Sequence, residues 1–488
     1  MQLRSHDERT DVRAAAGPAS RLPWAVLLVT LAWAPWPLGS NRPWALALMA
    51  LLLSLTVLGL PTLGWAPLTH RLQRARWPLA ALLGLGVLAA AQWLIDTGPL
   101  ATADAFATQA YLLRTLAYTA AFTAVVSLAS TEQRVRTLLG LLLAVGVLQA
   151  FVAVLVIGAQ QGHQGGSIQL FFTPLGQMTG RASGTFPNAD HLAGYMELCL
   201  AAGLGLMVSQ MAGSTGSQRP RWQARVQGLL QFVLSTKMLV RLLLVVLVIA
   251  LVMTHSRMGN GAFFITLLVV GGIVAWRSPV LRQPALWLVG SMVLVDVLVI
   301  GQWVGLEKVV NRLQGTELNQ SQATTVDPFA NEPVSARVAR QETLEQRLRA
   351  PRAALGLVAV SPWTGHGGGA FEAAFPPFKT EDVIPYHFDY THNDYVQQAT
   401  EVGLLGLVLW LTVGLAAGWR AWRLLGPGQP RLNRGVAVAT LTALCSLGFH
   451  SLVDFNLQIP ANALTMTVLL ALPFAVCTPS GRSRTASP

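Results

Sequence analysis

The sequence predicts an all-α polytopic membrane protein with about 12 transmembrane helices, and three observations support this prediction. Apolar residues make up 53% of the 488 residues and charged residues only 11%, against about 25% in soluble proteins. Apolar runs of about 20 residues, the length that crosses a bilayer, recur along the chain. Lys and Arg outnumber Asp and Glu by 34 to 22, and the excess falls on alternate connections between the runs. A soluble enzyme is therefore excluded.

The apolar runs set the predicted organisation of the chain. The predicted spans are residues 22–40, 43–60, 78–95, 110–130, 137–158, 191–212, 238–254, 260–276, 284–303, 396–419, 435–453 and 459–477. The segments are an N-terminal tail (1–21), the first nine helices (22–303), a large loop (304–395), the last three helices (396–477) and a C-terminal tail (478–488). We expect short helices within the large loop, which connects helices 9 and 10.

The distribution of Lys and Arg predicts the orientation of the spans, because cytoplasmic connections retain positive charge. Basic residues cluster before the first span and after the second, fourth, sixth, eighth, tenth and twelfth. The short connections on the other side contain only Arg42, Arg181 and Arg257. Both termini are thus predicted to be cytoplasmic, and the large loop faces the periplasm in a Gram-negative cell. The formal net charge of +12 is an orientation signal, so we expect no nucleic-acid partner.

Two stretches of the large loop have a predictable local structure. Residues 334–350 (VSARVARQETLEQRLRA) combine strong helix formers with opposite charges at helical spacing, which predicts a helix on or near the membrane surface. Residues 361–371 (SPWTGHGGGAF) are rich in turn-forming residues and interrupt the helical pattern.

Ionisable side chains at membrane depth are energetically expensive, so each one is a candidate site residue. In the predicted topology these residues gather toward the outer ends of the spans, which predicts a polar cavity open to the periplasm and to lipid. They are Arg114, Glu197, His255, Arg257, Asp296, His450 and Asp454.

Structural roles are alternatives for several of these residues. Arg114 and Asp296 are candidates for an intramembrane ion pair as well as for substrate binding. Glu197 and Asp454 are expected to cap helix ends or to hold arginine side chains, and the two histidines at helix ends are expected to be structural.

A metal site is a further alternative in and beside the large loop. Imidazole and carboxylate ligands are available from His366, His387, Asp389, His392 and Asp394. Their spacing matches no zinc-binding signature, so we expect neither a metal ion nor a cofactor.

Three segments with chemistry-bearing residues follow one another along the chain. They are residues 181–195 (RASGTFPNADHLAGY), 254–261 (THSRMGNG) and 391–406 (THNDYVQQATEVGLLG). Together they resemble the O-antigen ligase and O-antigen polymerase family of membrane glycosyltransferases, which also has a large outer loop before the third segment. The resemblance covers about residues 181–454, including the loop stretch SPWTGHGGGAFEAAFPPF. One departure is Asp190, where many family members carry Asn.

The resemblance implies a transferase that moves a glycan from undecaprenyl diphosphate to an acceptor hydroxyl, on the periplasmic side of the bacterial inner membrane. It implies no nucleotide sugar and no metal. In the family, arginines at the places of Arg181 and Arg257 engage the diphosphate, and a histidine at the place of His392 acts on the acceptor. We expect supporting roles for Asn188, Asn393, Asp394, Asp389, Arg114 and Glu197.

The residue types of the three segments suit this chemistry. Arginine binds phosphate oxygens with two parallel hydrogen bonds, which stabilises the charge that develops on a leaving diphosphate. An imidazole accepts a proton near neutral pH, which suits His392 as the base for the acceptor hydroxyl. Asp394 or Asp389 is a candidate for orienting that ring. A single displacement of this kind inverts the anomeric configuration.

The same residues have simpler explanations that the sequence leaves open. Arg181 and Arg257 are also suited to anchoring lipid headgroups. Thr391, Asn393 or Asp394 is suited to capping the helix of the tenth span, which would explain the Asn and Asp but not the histidine between them.

The acceptor and the class of function also stay open. A ligase transfers a finished polymer to lipid A-core, a polymerase transfers the chain to another lipid-linked repeat unit, and a protein O-oligosaccharyltransferase transfers it to serine or threonine. These reactions share a donor, and we favour the ligase. A transporter or flippase of lipid-linked sugars is the alternative from another class, weakened by the one-sided clustering of polar residues and by the lack of a repeat signal.

Overall fold

The structure is a computed structural model that describes residues 20–162, 168–170, 173–175, 181–211, 236–283, 286–287, 289–294, 344–380 and 387–477. The longer helices are α1 (Arg21–Trp33), α2 (Pro43–Leu58), α3 (Trp65–Arg74), α4 (Arg76–Leu94), α5 (Ala105–Leu128), α6 (Glu132–Gly162), α7 (Ala189–Gln210), α8 (Thr236–Met253), α9 (Arg257–Arg277), α10 (Leu344–Val360), α12 (Asp394–Leu424), α13 (Arg431–His450) and α14 (Pro460–Ala475), with the one-turn helix α11 (Phe371–Ala374) before α12. Two short strands, β1 (Ile168–Leu170) and β2 (Thr173–Leu175), pair antiparallel with Ile168 opposite Leu175.

The helices confirm an all-α polytopic membrane protein. Every predicted span except the ninth corresponds to a helix among the described residues, and the ninth, at 284–303, lies largely outside them. Eight of the described helices are long and apolar enough to cross a membrane. The total of twelve spans stays a prediction, as do the two tails, which lie almost entirely outside the described residues.

One end of the helix bundle, the basic end, gathers arginines from several helices. Arg71 on α3 donates to the last turn of α5 at 2.6 Å, and Arg134 on α6 donates to the residue before α1 at 2.7 Å. Arg136 on α6 donates to the last turn of α7 at 3.0 Å. Arg277 at the end of α9 lies 5.5 Å from a tryptophan ring near the end of α12, where Arg420 donates to α14. Connections predicted to be basic thus meet at one end.

The opposite end, the polar end, collects the candidate site residues. The ring of Phe455, after α13, contacts His191 on the first turn of α7 at 4.7 Å and His392 before α12 at 4.9 Å, measured between ring centroids. Asp394, the first residue of α12, donates its backbone N–H to Ser451 after α13 at 3.0 Å. The starts of α7 and α12 therefore meet the end of α13.

Helix α7 lies at the centre of the bundle, with 94% of its most apolar stretch buried. It packs closely against α13 because both helices present a glycine at the crossing. A Cβ on Gly205 would lie 2.6 Å from the Ala439 side chain and from the Gly435 carbonyl, so the two backbones approach without side chains between them. Small residues permit this close approach between membrane helices.

Helix α12 is interrupted at Gly403, which has φ +66° and ψ −175°. Residues of the large loop form hydrogen bonds with the backbone groups that the break leaves without a partner in the helix. His366 donates its N–H to the Thr400 carbonyl at 2.9 Å, and Leu404 donates to the Pro362 carbonyl at 2.7 Å. A Cβ at Gly403 would collide with the backbone of Trp363, so only glycine fits this crossing.

The described part of the large loop refines two predictions. The helix predicted at 334–350 is described from Leu344 and continues to Val360 as α10, while residues 334–343 lie outside the described residues. The boundary prediction is therefore wrong at its C-terminal end. Residues 361–370 form turns in which Gly365, Gly367 and Gly369 have positive φ, as the sequence predicts.

The close crossing of α7 and α13 predicts that a larger side chain at Gly205 destabilises the protein. Gly205→Leu forces the two helices apart, so we expect a loss of about 1–3 kcal/mol or more in the free energy of unfolding. Gly140→Leu on α6 is the matched control, because its Cβ meets nothing within 4 Å. The measurement is thermal unfolding of the purified protein in detergent. Equal unfolding temperatures for the two variants would contradict the close packing.

Candidate active site

Arg181 lies before α7 and is held by two groups. Its Nε donates to the carbonyl of Thr254 at 2.9 Å, and one Nη pairs with the Asp190 carboxylate at 2.5 Å. The Asp190 side chain is buried, whereas the Arg181 side chain is 19% exposed. Arg181 thus joins the first two predicted segments. The unusual Asp190 supplies an ion pair that fixes the direction of this arginine.

Arg257 begins α9, and its side chain is exposed. The turn before it contains His255, whose φ of +52° is uncommon for a residue with a side chain. The Ser256 hydroxyl caps the helix by accepting the Gly259 N–H at 3.2 Å. The N-terminus of a helix carries a partial positive charge, which adds to that of the arginine. The start of α9 therefore favours the binding of an anion.

His392 also has a left-handed backbone, with φ +56°, immediately before α12. The helix cap is made by its neighbour, since the Asn393 side chain accepts the N–H groups of Tyr395 and Val396 at 3.0 Å each. Capping by Asn393 is therefore confirmed. The partly exposed imidazole of His392 takes no part in the cap and packs edge-on against Phe455. It is available for chemistry.

The two carboxylates predicted to orient His392 contact other groups. Asp394 is buried and accepts hydrogen bonds from the Ser451 hydroxyl at 2.8 Å and from the Leu457 N–H at 3.1 Å. Asp389 is exposed and lies 2.9 Å from His387. Among the described residues, the ring contacts of His392 are with aromatic side chains. The hypothesis of a carboxylate that orients His392 therefore gains no support, and Asp394 fixes the start of α12 instead.

Phe455 and His191 are site residues that the sequence reasoning missed. The Phe455 ring stacks on Tyr390 at 4.5 Å and also contacts His191 and His392, so it lies at the centre of the site. His191 is buried, and both of its ring nitrogens lack a hydrogen-bond partner among the described residues. His191 belongs to the first segment, which was a usable signal. Nothing in the sequence around Phe455 marks it.

Glu197 has different partners from those expected. Its carboxylate accepts from the Ser446 hydroxyl at 2.5 Å and lies 2.7 Å from the His450 Nδ1, and all three side chains are buried. The His450 Nε2 lies 3.5 Å from Asp454. The prediction that Glu197 caps a helix or holds an arginine is wrong, because it joins α7 to α13 instead. His450 is structural, as expected.

The remaining predicted residues lie at the margins of the site. Asn188 caps α7 by accepting the Asp190 N–H at 3.1 Å. Arg114 on α5 donates to the carbonyl of Gln458 at 3.5 Å. Burial raises the pKa of the Tyr390 hydroxyl, and the nearby Arg114 cation opposes that rise. Asp296 lies outside the described residues, so the proposed pair of Arg114 with Asp296 stays a prediction.

The candidate metal ligands do not assemble as a set. His366 is in contact with a backbone carbonyl of α10 at 2.9 Å, away from the other predicted ligands. His387 and Asp389 instead meet Glu372, and one ligand atom from each of these three exposed side chains lies within 4.8 Å of the others, close enough to hold a metal ion. Exposed acidic groups are also common without a metal, so the expectation of no metal ion stays a prediction.

Comparison with known proteins gives one family. Residues 242–411 match the family model described as O-Antigen ligase. The matched range includes Arg257 and His392, while Arg181 precedes it. No curated protein matches the sequence. The match confirms the resemblance to the O-antigen ligase and polymerase family, whose members are enzymes of the glycosyltransferase and ligase type.

The buried contact between α7 and α13 generates a stability prediction. Glu197→Leu leaves His450 and Ser446 buried without their partner, so we expect a loss of about 3–5 kcal/mol in the free energy of unfolding. The control is Glu132→Leu, which removes an exposed pair with Arg136 and is expected to cost less than about 1 kcal/mol. Unfolding in mixed detergent micelles measures both. Similar losses would show that the buried network does not stabilise the bundle.

Proposed function

We propose that this chain, which carries an O-antigen ligase domain, transfers a glycan from undecaprenyl diphosphate to an acceptor hydroxyl at the polar end of the bundle. The acceptor is lipid A-core, as in an O-antigen ligase, so the reaction belongs to lipopolysaccharide biosynthesis. The main support for the proposal is that the segments containing Arg181, Arg257 and His392 lie together at one end of the helix bundle. A structural membrane protein has no need of that combination at a single depth.

The two arginines are proposed to hold the donor diphosphate. Arg181 is directed by Asp190 and by the Thr254 carbonyl, so it is oriented before substrate arrives. Arg257 is exposed at the start of α9, where the helix end adds to its positive charge. As the bond between the anomeric carbon and the phosphate oxygen breaks, negative charge grows on the diphosphate. Donors fixed in place stabilise that charge without rearranging during the reaction.

His392 is proposed to accept the proton of the acceptor hydroxyl during attack. Its backbone is in the left-handed region, and Asn393 performs the capping that the helix start requires. The edge contacts with Phe455 and Phe388 limit the rotation of the imidazole. Attack on the face opposite the diphosphate completes a single displacement, with the proton on His392 and the diphosphate as leaving group.

The proposed location is the bacterial inner membrane, with both termini in the cytoplasm. The support for this orientation is the basic end, where arginines of alternate connections meet. Cytoplasmic connections of membrane proteins carry such an excess of positive charge. The polar end then faces the periplasm, where lipid-linked glycans and their acceptors meet.

The reaction is tested with purified protein, undecaprenyl-diphosphate glycan and one acceptor at a time. We expect transfer to lipid A-core, and His392→Ala should lower its rate at least about 100-fold because the base is lost. The control His70→Ala removes an exposed histidine on α3, far from the polar end, and should leave the rate unchanged.

Two results would contradict the proposal. Near-normal transfer by His392→Ala would exclude His392 as the base. Transfer to a second lipid-linked repeat unit, or to a protein serine or threonine, in place of lipid A-core would identify a polymerase or a protein O-oligosaccharyltransferase.

A further inference from the structure

A cavity of about 670 Å³ lies between α4, α5, α12, α13 and α14. Its wall is mostly apolar and includes Leu85, Trp410, Leu444 and Met466. The volume is within the range of pockets that bind small ligands in proteins. The cavity also reaches Trp422, whose ring lies next to the arginine at the end of α9. It therefore extends from the site toward the basic end.

The cavity opens sideways onto the surface that faces lipid. Leu415 and Trp419 line it and are 73% and 66% exposed. Gly414 and Gly418 line the same side, and a Cβ at either position would meet only Leu444 within 4 Å. The absence of side chains there leaves a slot along α12. A hydrocarbon chain can enter such a slot directly from the bilayer.

The end of the cavity nearest the active site is polar and positively charged. Arg114 lies there, in the span formed by α5, and it interacts electrostatically with the buried carboxylate of Glu401. Its guanidinium also donates a long hydrogen bond of 3.5 Å to the Gln458 carbonyl and lies 5.8 Å from the centre of the Tyr111 ring. The Tyr118 hydroxyl, also in the wall, is buried without a partner among the described residues. Glu401 offsets part of the Arg114 charge, so the Tyr118 hydroxyl, together with the guanidinium, provides hydrogen-bond donors for an anionic group in the cavity.

The cavity is connected to the active site through a cluster of aromatic rings. Arg181 pairs with Asp190, and His191 beside it contacts Phe455 on one side. Tyr390 stacks on the same Phe455 ring and interacts electrostatically with Arg114. His392 packs against the same Phe455 ring. A lipid held at Arg114 would therefore lie close to the ring cluster that contains His392.

We propose that this cavity is the binding site of the lipid-anchored acceptor. One acyl chain lies in the slot along α12, and an anionic group of the lipid headgroup lies at Arg114. This inference rests on the proposed function, because a displacement between two lipid substrates requires two lipid sites. The donor diphosphate is assigned to Arg181 and Arg257, so Arg114 and its cavity are left for the second substrate. An acyl chain that moves from the bilayer into the slot passes from one apolar environment to another, so the hydrophobic effect does not favour the move. The shape of the slot and the charge of Arg114 therefore determine which lipid binds.

The test fills the slot with Gly418→Phe and compares an acylated acceptor with the same acceptor after removal of its acyl chains. We expect the KM for the acylated acceptor to rise about tenfold, toward that of the deacylated one, with the donor KM unchanged. Gly272→Phe is the matched control, because Gly272 is exposed on α9 with nothing within 4 Å of its Cβ. This control should keep the wild-type preference for the acylated acceptor.

Two outcomes would overturn the inference. An unchanged preference for the acylated acceptor in Gly418→Phe means that no acyl chain occupies the slot. A raised KM for the undecaprenyl donor, with the acceptor preference retained, assigns the slot to the polyprenyl chain.

Arg114→Gln supplies a second variant that does not depend on filling the slot. It should weaken binding of the phosphorylated, acylated acceptor about tenfold and leave binding of its dephosphorylated form unchanged. Equal binding losses for both forms would overturn the assignment of Arg114. Because binding is measured without transfer, a wild-type protein that binds this lipid but transfers no glycan refutes the proposed function and not this site.

Discussion

The close packing of α7 against α13 is the constraint on which the rest of the structure depends. The glycines at their crossing let the backbones approach, and the buried contact of Glu197 with His450 joins the same two helices further along. This packing places the start of α7 beside the segment that follows α13. Because the Ser451 hydroxyl donates a hydrogen bond to the Asp394 carboxylate, the start of α12 is held beside the same segment. Three helix termini are thereby held together at the polar end of the bundle.

This arrangement connects two groups of site residues through one ring. Phe455 is that ring, with His191, next to Asp190 in sequence, and Tyr390, which interacts with Arg114, both in contact with it. A direct displacement requires the leaving group and the attacking hydroxyl on opposite sides of the anomeric carbon. The two separate positively charged regions, at Arg181 and at Arg114, suit the two anionic lipids that we propose as substrates.

The fold was largely predictable because its signals are local. Apolar runs and alternating basic connections follow directly from what a bilayer allows, so spans such as 191–212 and 435–453 match α7 and α13 closely. The break of α12 was not predictable. Gly403 stands in an ordinary apolar run, and the need for a glycine arises only because a segment about 40 residues earlier crosses the helix there.

The site was predictable in its residue types and much less in its contacts. Arg181, Arg257 and His392 stand in short segments whose composition marks them. The partners of Asp394 and Glu197 were assigned wrongly, because Ser451 and His450 are distant in sequence and are brought near only by the packing of α13. Phe455 was missed for a similar reason. A phenylalanine at a helix end carries no chemical signal until three other rings are packed around it.

The central claim is a single displacement by an acceptor hydroxyl, with His392 as base and the diphosphate leaving from the opposite face. The most direct measurement is the anomeric configuration of the new glycosidic bond, determined by NMR on the product of the wild-type protein and compared with the configuration in the donor. We expect inversion of the configuration. Retention of configuration would require a covalent glycosyl intermediate, and would contradict the account.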